Sequence, residues 1–304
     1  MAAKIALVRH QIPVLKALGS SLLDAALGRK RPATAIPGPE LVGLAAAHDH
    51  EHIQTYVAAT GGDPGLYGDT VPAHMFSQWC YPTIWRSLAG IPYPLSKALN
   101  GGCRLTMNGP IPSDTPLKVA AQLESIDDNG RRARIHQRIT TGPGTQQDAV
   151  VVDFFPVVPF AKKDRNTTPG AGAVPKRAPA TVPEDAREVA RWALTPGTAL
   201  DYAMLTGDFN PIHWIKLAAK VAGFKSTILH GFGILAHAIE GLNLTVLDGD
   251  PTALKTIDVR FTKPVTLPME LGLFVTDGED GVEGVYIGKQ AGGLAHMLGT
   301  FERR

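Results

Sequence analysis

Residues 201–213 read Asp201-Tyr202-Ala203-Met204-Leu205-Thr206-Gly207-Asp208-Phe209-Asn210-Pro211-Ile212-His213. The apolar run up to Thr206 has helical composition, and Gly207 can close that helix in a left-handed cap. Asn210-Pro211 then forces an extended turn, because proline bars the residue before it from helical backbone. Asp208 and His213 are thereby predicted to share one short, stiff loop. A carboxylate and an imidazole held in this way can reach a single water or substrate proton together, as general acid/base catalysis requires. The plainer reading makes Asp208 a cap of the following turn and leaves His213 facing solvent.

A second stretch of chain decides between them. After a short run rich in small residues comes Leu229-His230-Gly231-Phe232, and from His230 to Leu242 the residues Phe232, Leu235, Ala236, Ile239 and Leu242 recur at helical spacing. Together, Tyr-x-x-x-Thr-Gly-Asp-x-Asn-Pro-x-His and Leu-His-Gly-Phe resemble the hydratase 2 motif of the MaoC-like dehydratases. The resemblance implies that Asp208 and His213 hold a catalytic water and that Asn210 braces their loop. It also implies that the backbone N–H of Gly231 meets a thioester carbonyl; His230 and Phe232, which flank it, are candidate substrate-binding residues, with a structural bond to a loop carbonyl as the other reading of His230. A donor at that point makes physical sense. The first N–H groups of a helix lack intrahelical acceptors, and the helix dipole there favours negative charge, so an enolate-like oxygen would be stabilised.

The first half of the chain replays the second. Tyr56-Val57-Ala58-Ala59-Thr60-Gly61 mirrors Tyr202 to Gly207, and Ala73-His74-Met75-Phe76 mirrors Leu229 to Phe232. Pro110-Ile111, leading to Leu117, mirrors Pro264-Val265, leading to Leu271. Where the second copy carries Asp208 to His213, the first has Gly62-Asp63-Pro64-Gly65 and no equivalent histidine, so it reads as catalytically empty. Between the copies, Lys162 to Pro183 is rich in Pro, Gly, Ala, Thr and Lys with no apolar period, as a linker is. The predicted organisation is a first module at 1–160, a linker at 161–183 and a second module at 184–304.

Helices are predicted over residues 11–28 (apolar at Ile12, Leu15, Leu18, Leu22, Leu23 and Leu27), from Asp49 onward, over 76–88, leading into Gly207, over 215–221 and over 230–242. Strands are predicted near 104–107, 117–125, 131–141, 148–158, 187–194, 256–262, 270–276, 282–288 and 294–301. One helix plus an antiparallel sheet per module is α+β in class. The resemblance names that arrangement a hot dog, here doubled, with two modules in one chain forming what single-module relatives make as a dimer. By the same resemblance the empty module supplies an acyl-chain channel.

The remaining composition mostly excludes. With 19% charged residues and a net charge of +2 there is no nucleic-acid footprint. Two cysteines, Cys80 and Cys103, do not make a disulfide scaffold, and no segment approaches the ~20 apolar residues that span a bilayer, so the expectation is a cytoplasmic protein away from the membrane. His48, His50 and His52 alternate as metal ligands do, yet they share a face only on a strand, and Asp49 starts a helix; no metal is expected there. Without a Gly-rich phosphate loop, no cofactor is expected either. The resemblance implies reversible hydration of a trans-2-enoyl thioester to an (R)-3-hydroxyacyl thioester, carried on CoA or acyl carrier protein, with a homodimer left open. Two rivals keep the fold: a non-catalytic acyl-thioester binding subunit, and a hot-dog thioesterase whose only helical carboxylate would be Glu240.

Overall fold

The computed structural model describes residues 6–15, 35–160 and 178–304. Its helices are α1 (His50–Ala59), α2 (Ser77–Ser87), α3 (Pro196–Thr206), α4 (Lys216–Val221) and α5 (Gly231–Thr245). Its strands are β1 (Leu41–Ala45), β2 (Leu99–Met107), β3 (Leu117–Asp128), β4 (Arg132–Gly142) and β5 (Val150–Pro159) in the first half. In the second half they are β6 (Arg187–Leu194), β7 (Leu254–Phe261), β8 (Met269–Thr276), β9 (Val282–Gly288) and β10 (Ala295–Arg303).

The ten strands form one antiparallel sheet in the order β1-β3-β4-β5-β2-β7-β10-β9-β8-β6. Taken inward from either end, the order is the same with each number raised by five, so the sheet has a local two-fold at its middle. There β2 pairs with β7, from Gly102 opposite Arg260 to Thr106 opposite Thr256. Helix α2 lies on β1, β3 and β4, and α5 lies on β6 and β7. Both helices bury their apolar faces in one continuous core that runs across the junction and includes Phe76, Ile84, Leu105, Phe232, Leu235, Leu242 and Ile257.

The internal repeat is visible bond by bond. Thr60 Oγ1 donates to Tyr56 O at 3.0 Å, and Thr206 Oγ1 to Tyr202 O at 2.8 Å. Gly61 and Gly207 both take positive φ, 84° and 79°. Val71 N donates to Ile111 O at 2.8 Å, as Leu229 N does to Val265 O at 2.9 Å.

Several sequence expectations need correction. The segment 11–28 is described only to residue 15; that part is helical, but its buried positions are Gln11 and Val14, while Ile12 and Leu15 face outward. Burying Gln11 is possible because its Nε2 donates to Leu205 O at 2.8 Å. β1 was not anticipated, because Leu41-Val42-Gly43-Leu44-Ala45 does not alternate; as an edge strand it leaves Leu44 83% exposed. β2 begins five residues before the predicted start, carrying an irregularity between Asn100 and Cys103 that its Gly101-Gly102 pair disguised. The linker lies outside the described residues up to 177, and its last residues belong to the second half. Val182 N donates to Gly293 O at 2.9 Å, and Val182 is buried.

Candidate functional site

Thr195 caps α3 in a capping box with Thr198, Pro196 occupies its first turn, and the left-handed Gly207 ends it. Asp208 follows at once. Asn210 Oδ1 accepts from Ile212 N at 3.4 Å and caps the 3-10 turn Pro211–His213, so its side-chain oxygen is engaged within its own loop. Asn210 N in turn donates to Asp208 Oδ1 at 3.4 Å.

These turns bring three predicted residues together. One ligating atom each from Asp208, His213 and His230 lies within 4.8 Å of the others. His213 Nδ1 is 2.8 Å from Ile228 O, and His230 Nε2 is 2.9 Å from Asp208 O. A carbonyl can only accept, so both of those nitrogens carry protons. The lone pairs therefore sit on His213 Nε2 and His230 Nδ1, and the latter is buried without a hydrogen-bond partner. The two imidazoles stack at 3.6 Å between centroids, 24° from parallel.

Burial, reinforced by the neighbouring ring, pushes His230 down to about 3. Burial likewise lowers His213, against the opposing pull of Asp208 and the Ile228 carbonyl. For Asp208, burial disfavours the anion, but His230, His213, the Tyr81 hydroxyl and the Asn210 N–H outweigh it and hold the carboxyl below its usual range. At neutral pH the site holds a carboxylate and two neutral imidazoles.

Such a trio invites comparison with a two-histidine, one-carboxylate metal centre. The stacking argues against that use. Ring lone pairs lie in the ring planes, and two rings stacked 24° from parallel with centroids 3.6 Å apart do not aim those lone pairs at one point as a shared ion requires. A water, smaller in its geometric demands, can sit against Asp208 and His213 Nε2. Elsewhere His52 Nε2 bonds Leu205 O at 2.8 Å, His48 Nε2 bonds Gln78 Oε1 at 3.2 Å, and His50 turns outward to Gln54. Starting the helix at His50 splays the three imidazoles apart.

His230 is the N-cap of α5 and Gly231 its first residue. Gly231 is half-buried between fully buried neighbours, so its backbone is the reachable part of this segment. A Cβ there would stand 3.0–3.1 Å from the Asn100 side chain, which reaches in from β2. Phe232 points elsewhere. It is 2% exposed, with ring contacts to Phe76 at 4.7 Å and Phe154 at 5.1 Å, and so packs the junction of the halves. His237 is likewise occupied, bonding Gly233 O at 2.8 Å.

Two neighbours of the site come from the first half and were not anticipated: Asn100, and Tyr81 on α2, whose hydroxyl donates to Asp208 Oδ2 at 3.0 Å. No spacing within the motif could reveal them, since Tyr81 lies 127 positions from Asp208. At the related place in the first half a different cluster stands. Glu240 Oε1 accepts from Tyr67 OH at 2.9 Å and lies 3.1 Å from His74 Nε2, and Asn243 Nδ2 donates to Tyr67 OH at 2.9 Å. Glu240 is fully buried there, engaged with the first half.

A doubled helix-and-sheet module defines a double hot-dog fold, here with a carboxylate and two imidazoles gathered at the start of one central helix. Residues 176–283 match the model of the MaoC like domain. The 3-hydroxyacyl-thioester dehydratase X of Mycobacterium tuberculosis is 27% identical over 83% of this chain and 85% of its own. The peroxisomal enoyl-CoA hydratase 2 of Arabidopsis thaliana is 31% identical, over 59% of each chain. The crystal structure of HtdX from Mycobacterium tuberculosis superposes with a TM-score of 0.69 at 23% identity, covering 88% of this chain and all of that one. A solved MaoC-like dehydratase gives 0.68 at 20% identity, covering 89% and 98%. The chain has the double hot-dog fold of these structures, and the MaoC like domain match lies in its second half.

Proposed function

We propose that the protein is a hydro-lyase that adds water reversibly across the double bond of trans-2-enoyl thioesters, giving (R)-3-hydroxyacyl thioesters in fatty-acid metabolism. The observation that carries this reading is the meeting of Asp208, His213 and His230 at the first residue of α5. The names of the similar dehydratase and hydratase support the reaction class, and the motif's resemblance supports the (R) stereochemistry.

In this mechanism the thioester carbonyl lies against the Gly231 N–H, where the helix N-terminus stabilises the enolate-like oxygen as charge builds. A water held by Asp208 and His213 attacks the β carbon. His213 Nε2 carries the lone pair and Nδ1 is committed to Ile228 O, so His213 accepts the water's proton through Nε2. The protonated ring, steadied by the Asp208 carboxylate, then returns a proton to the α carbon. Asn210 holds the loop shape on which both depend, and His230 ties that loop to α5 through the Asp208 carbonyl.

Residues 184–304 carry the chemistry in this reading, while Tyr81 and Asn100 of the first half complete the walls of the site. The acyl group is delivered on CoA or acyl carrier protein. Among the described residues, no helix is long and apolar enough to cross a membrane, which is compatible with a cytoplasmic enzyme. The test is loss of enoyl absorbance with crotonyl-CoA and with a longer trans-2-enoyl-CoA. Asp208→Asn and His213→Ala should each lower turnover by ~10²-fold or more. Tight acyl-CoA binding with no hydration, by a wild type that also leaves acyl carrier protein thioesters unchanged, would replace this reading with that of a binding subunit.

A further inference from the structure

The Asp208 carboxylate is held from both halves of the molecule. From its own loop it receives only the Asn210 N–H, at a long 3.4 Å. Its shorter bond, 3.0 Å to Oδ2, comes from Tyr81 on α2. Tyr81 is 9% exposed, and Asp208 is its one hydrogen-bond acceptor among the described residues. A phenol placed in a core usually has a partner for its hydroxyl. Here the partner is the acid of the proposed site.

The local two-fold explains how a residue of the first half arrives there. Tyr81 stands seven residues after His74, as His237 stands seven after His230. Each central helix thus presents its eighth motif position to the opposite half. A Cβ on Gly61 would lie 3.9 Å from His237 Cδ2, which is the same crossing in the other direction. In the first half, however, Gly62 takes the place that Asp208 takes in the second, so His237 meets no loop carboxylate and bonds Gly233 O. The crossing carries a hydroxyl to a carboxylate on one side only, the side with the motif.

We infer that Tyr81 is a positioning residue of the hydration site: its hydroxyl fixes the rotamer of the Asp208 carboxylate through Oδ2 and stabilises its ionised form, leaving Oδ1 to face the water. This rests on the hydratase reading of the same site. The titratable groups facing Asp208 are His213 from its own loop, His230 from the cap of α5, Tyr81 from α2 and Tyr202 from α3. Of these, Tyr81 alone hydrogen-bonds the carboxylate oxygens among the described residues. Burial and the adjacent carboxylate keep its phenol protonated well above the ordinary range, so it donates at every working pH. The first half therefore contributes to catalysis through a residue outside the repeated motif.

The experiment is the pH profile of kcat and kcat/KM for crotonyl-CoA hydration by wild type, by Tyr81→Phe, and by protein with 3-fluorotyrosine placed at position 81. Tyr81→Phe keeps the ring and removes the donor. It should lower kcat by about tenfold, with KM little changed, and move the acid limb toward higher pH, because a carboxylate without that donor attracts the proton on His213 more strongly. The fluorinated phenol is a stronger donor of the same shape, so it should move the acid limb toward lower pH while keeping turnover. Melting temperatures of all three, measured alongside, report packing. Limbs that stay in place in both variants overturn the inference, whatever happens to the melting temperature. Should Tyr81→Phe fold poorly, the direction of the fluorotyrosine limb decides alone. Absence of hydration by wild type would defeat the underlying reading instead.

Discussion

Replacing Glu240 by Leu tests whether the buried cluster of the first half contributes structure or chemistry. Glu240 Oε1 is the acceptor for the Tyr67 hydroxyl at 2.9 Å and sits 3.1 Å from His74 Nε2, with Glu240 and His74 almost wholly out of water. Leucine fills much of the volume and accepts nothing, so the buried Tyr67 hydroxyl loses its acceptor. The loss is about 1–3 kcal/mol. Unfolding entropy near ~2.1 cal/mol/K per residue over 304 residues converts that to a fall in melting temperature of roughly 2–5 °C. Glu240→Gln keeps an acceptor for Tyr67 and should lose less than half as much. Circular dichroism melts give the stability, and crotonyl-CoA hydration at 25 °C gives the activity. The expected outcome is a lowered melting temperature with kcat within about twofold of wild type. A kcat that collapses while the melting temperature holds would refute the assignment and make Glu240 part of a working site.

Acid should destabilise the protein earlier than its carboxylates alone would. Burial lowers His52 to about 4 and His230 to about 3, below the 6.5 of a free imidazole. The unfolded chain therefore takes up protons that the folded one refuses, and stability present above pH 6.5 is lost as pH falls toward those values. From pH 6.5 to about 5, each ring can cost up to ~2 kcal/mol, checked by urea melts across that window. A flat stability profile there would contradict the buried neutral rings. Phe232→Ala should cost ~3–5 kcal/mol, because the ring is packed between Phe76 and Phe154. KM for a short enoyl thioester should change little; a large KM effect at unchanged stability would put the ring in contact with substrate.

Local chemistry made much of this molecule legible from its sequence. The cap at Gly207, the turn at Asn210-Pro211 and the helix start at His230-Gly231 are each fixed by residues within a few positions, and they place Asp208, His213 and His230 side by side. The repeat was legible for the same reason, since Thr60-Gly61 and Thr206-Gly207 make the same bonds. Tyr81 and Asn100 were hidden because they reach the site through the two-fold of the sheet, a relation with no fixed spacing along the chain. Phe232 was read from its place in the motif, but its direction comes from helix geometry: one residue beyond Gly231, the side chain has turned into the junction. Gln11 shows the limit of apolar spacing, because a polar side chain bonded to Leu205 O can take a core position.

The junction strand β2 also has a consequence in time. Within the first half β2 is an end strand, and its partner β7 begins at Leu254, nearly 150 residues after β2 ends at Met107. A ribosome adding ~5–20 residues per second needs on the order of 7–30 s to cover that interval. Throughout it the nascent first half holds an unpaired row of N–H and C=O groups beside Leu105 and Cys103, residues that end up fully buried. Synthesis of this chain thus has a window, set by gene order, in which a sticky edge must wait for its own second half, and holding chaperones or slow growth temperatures should act there.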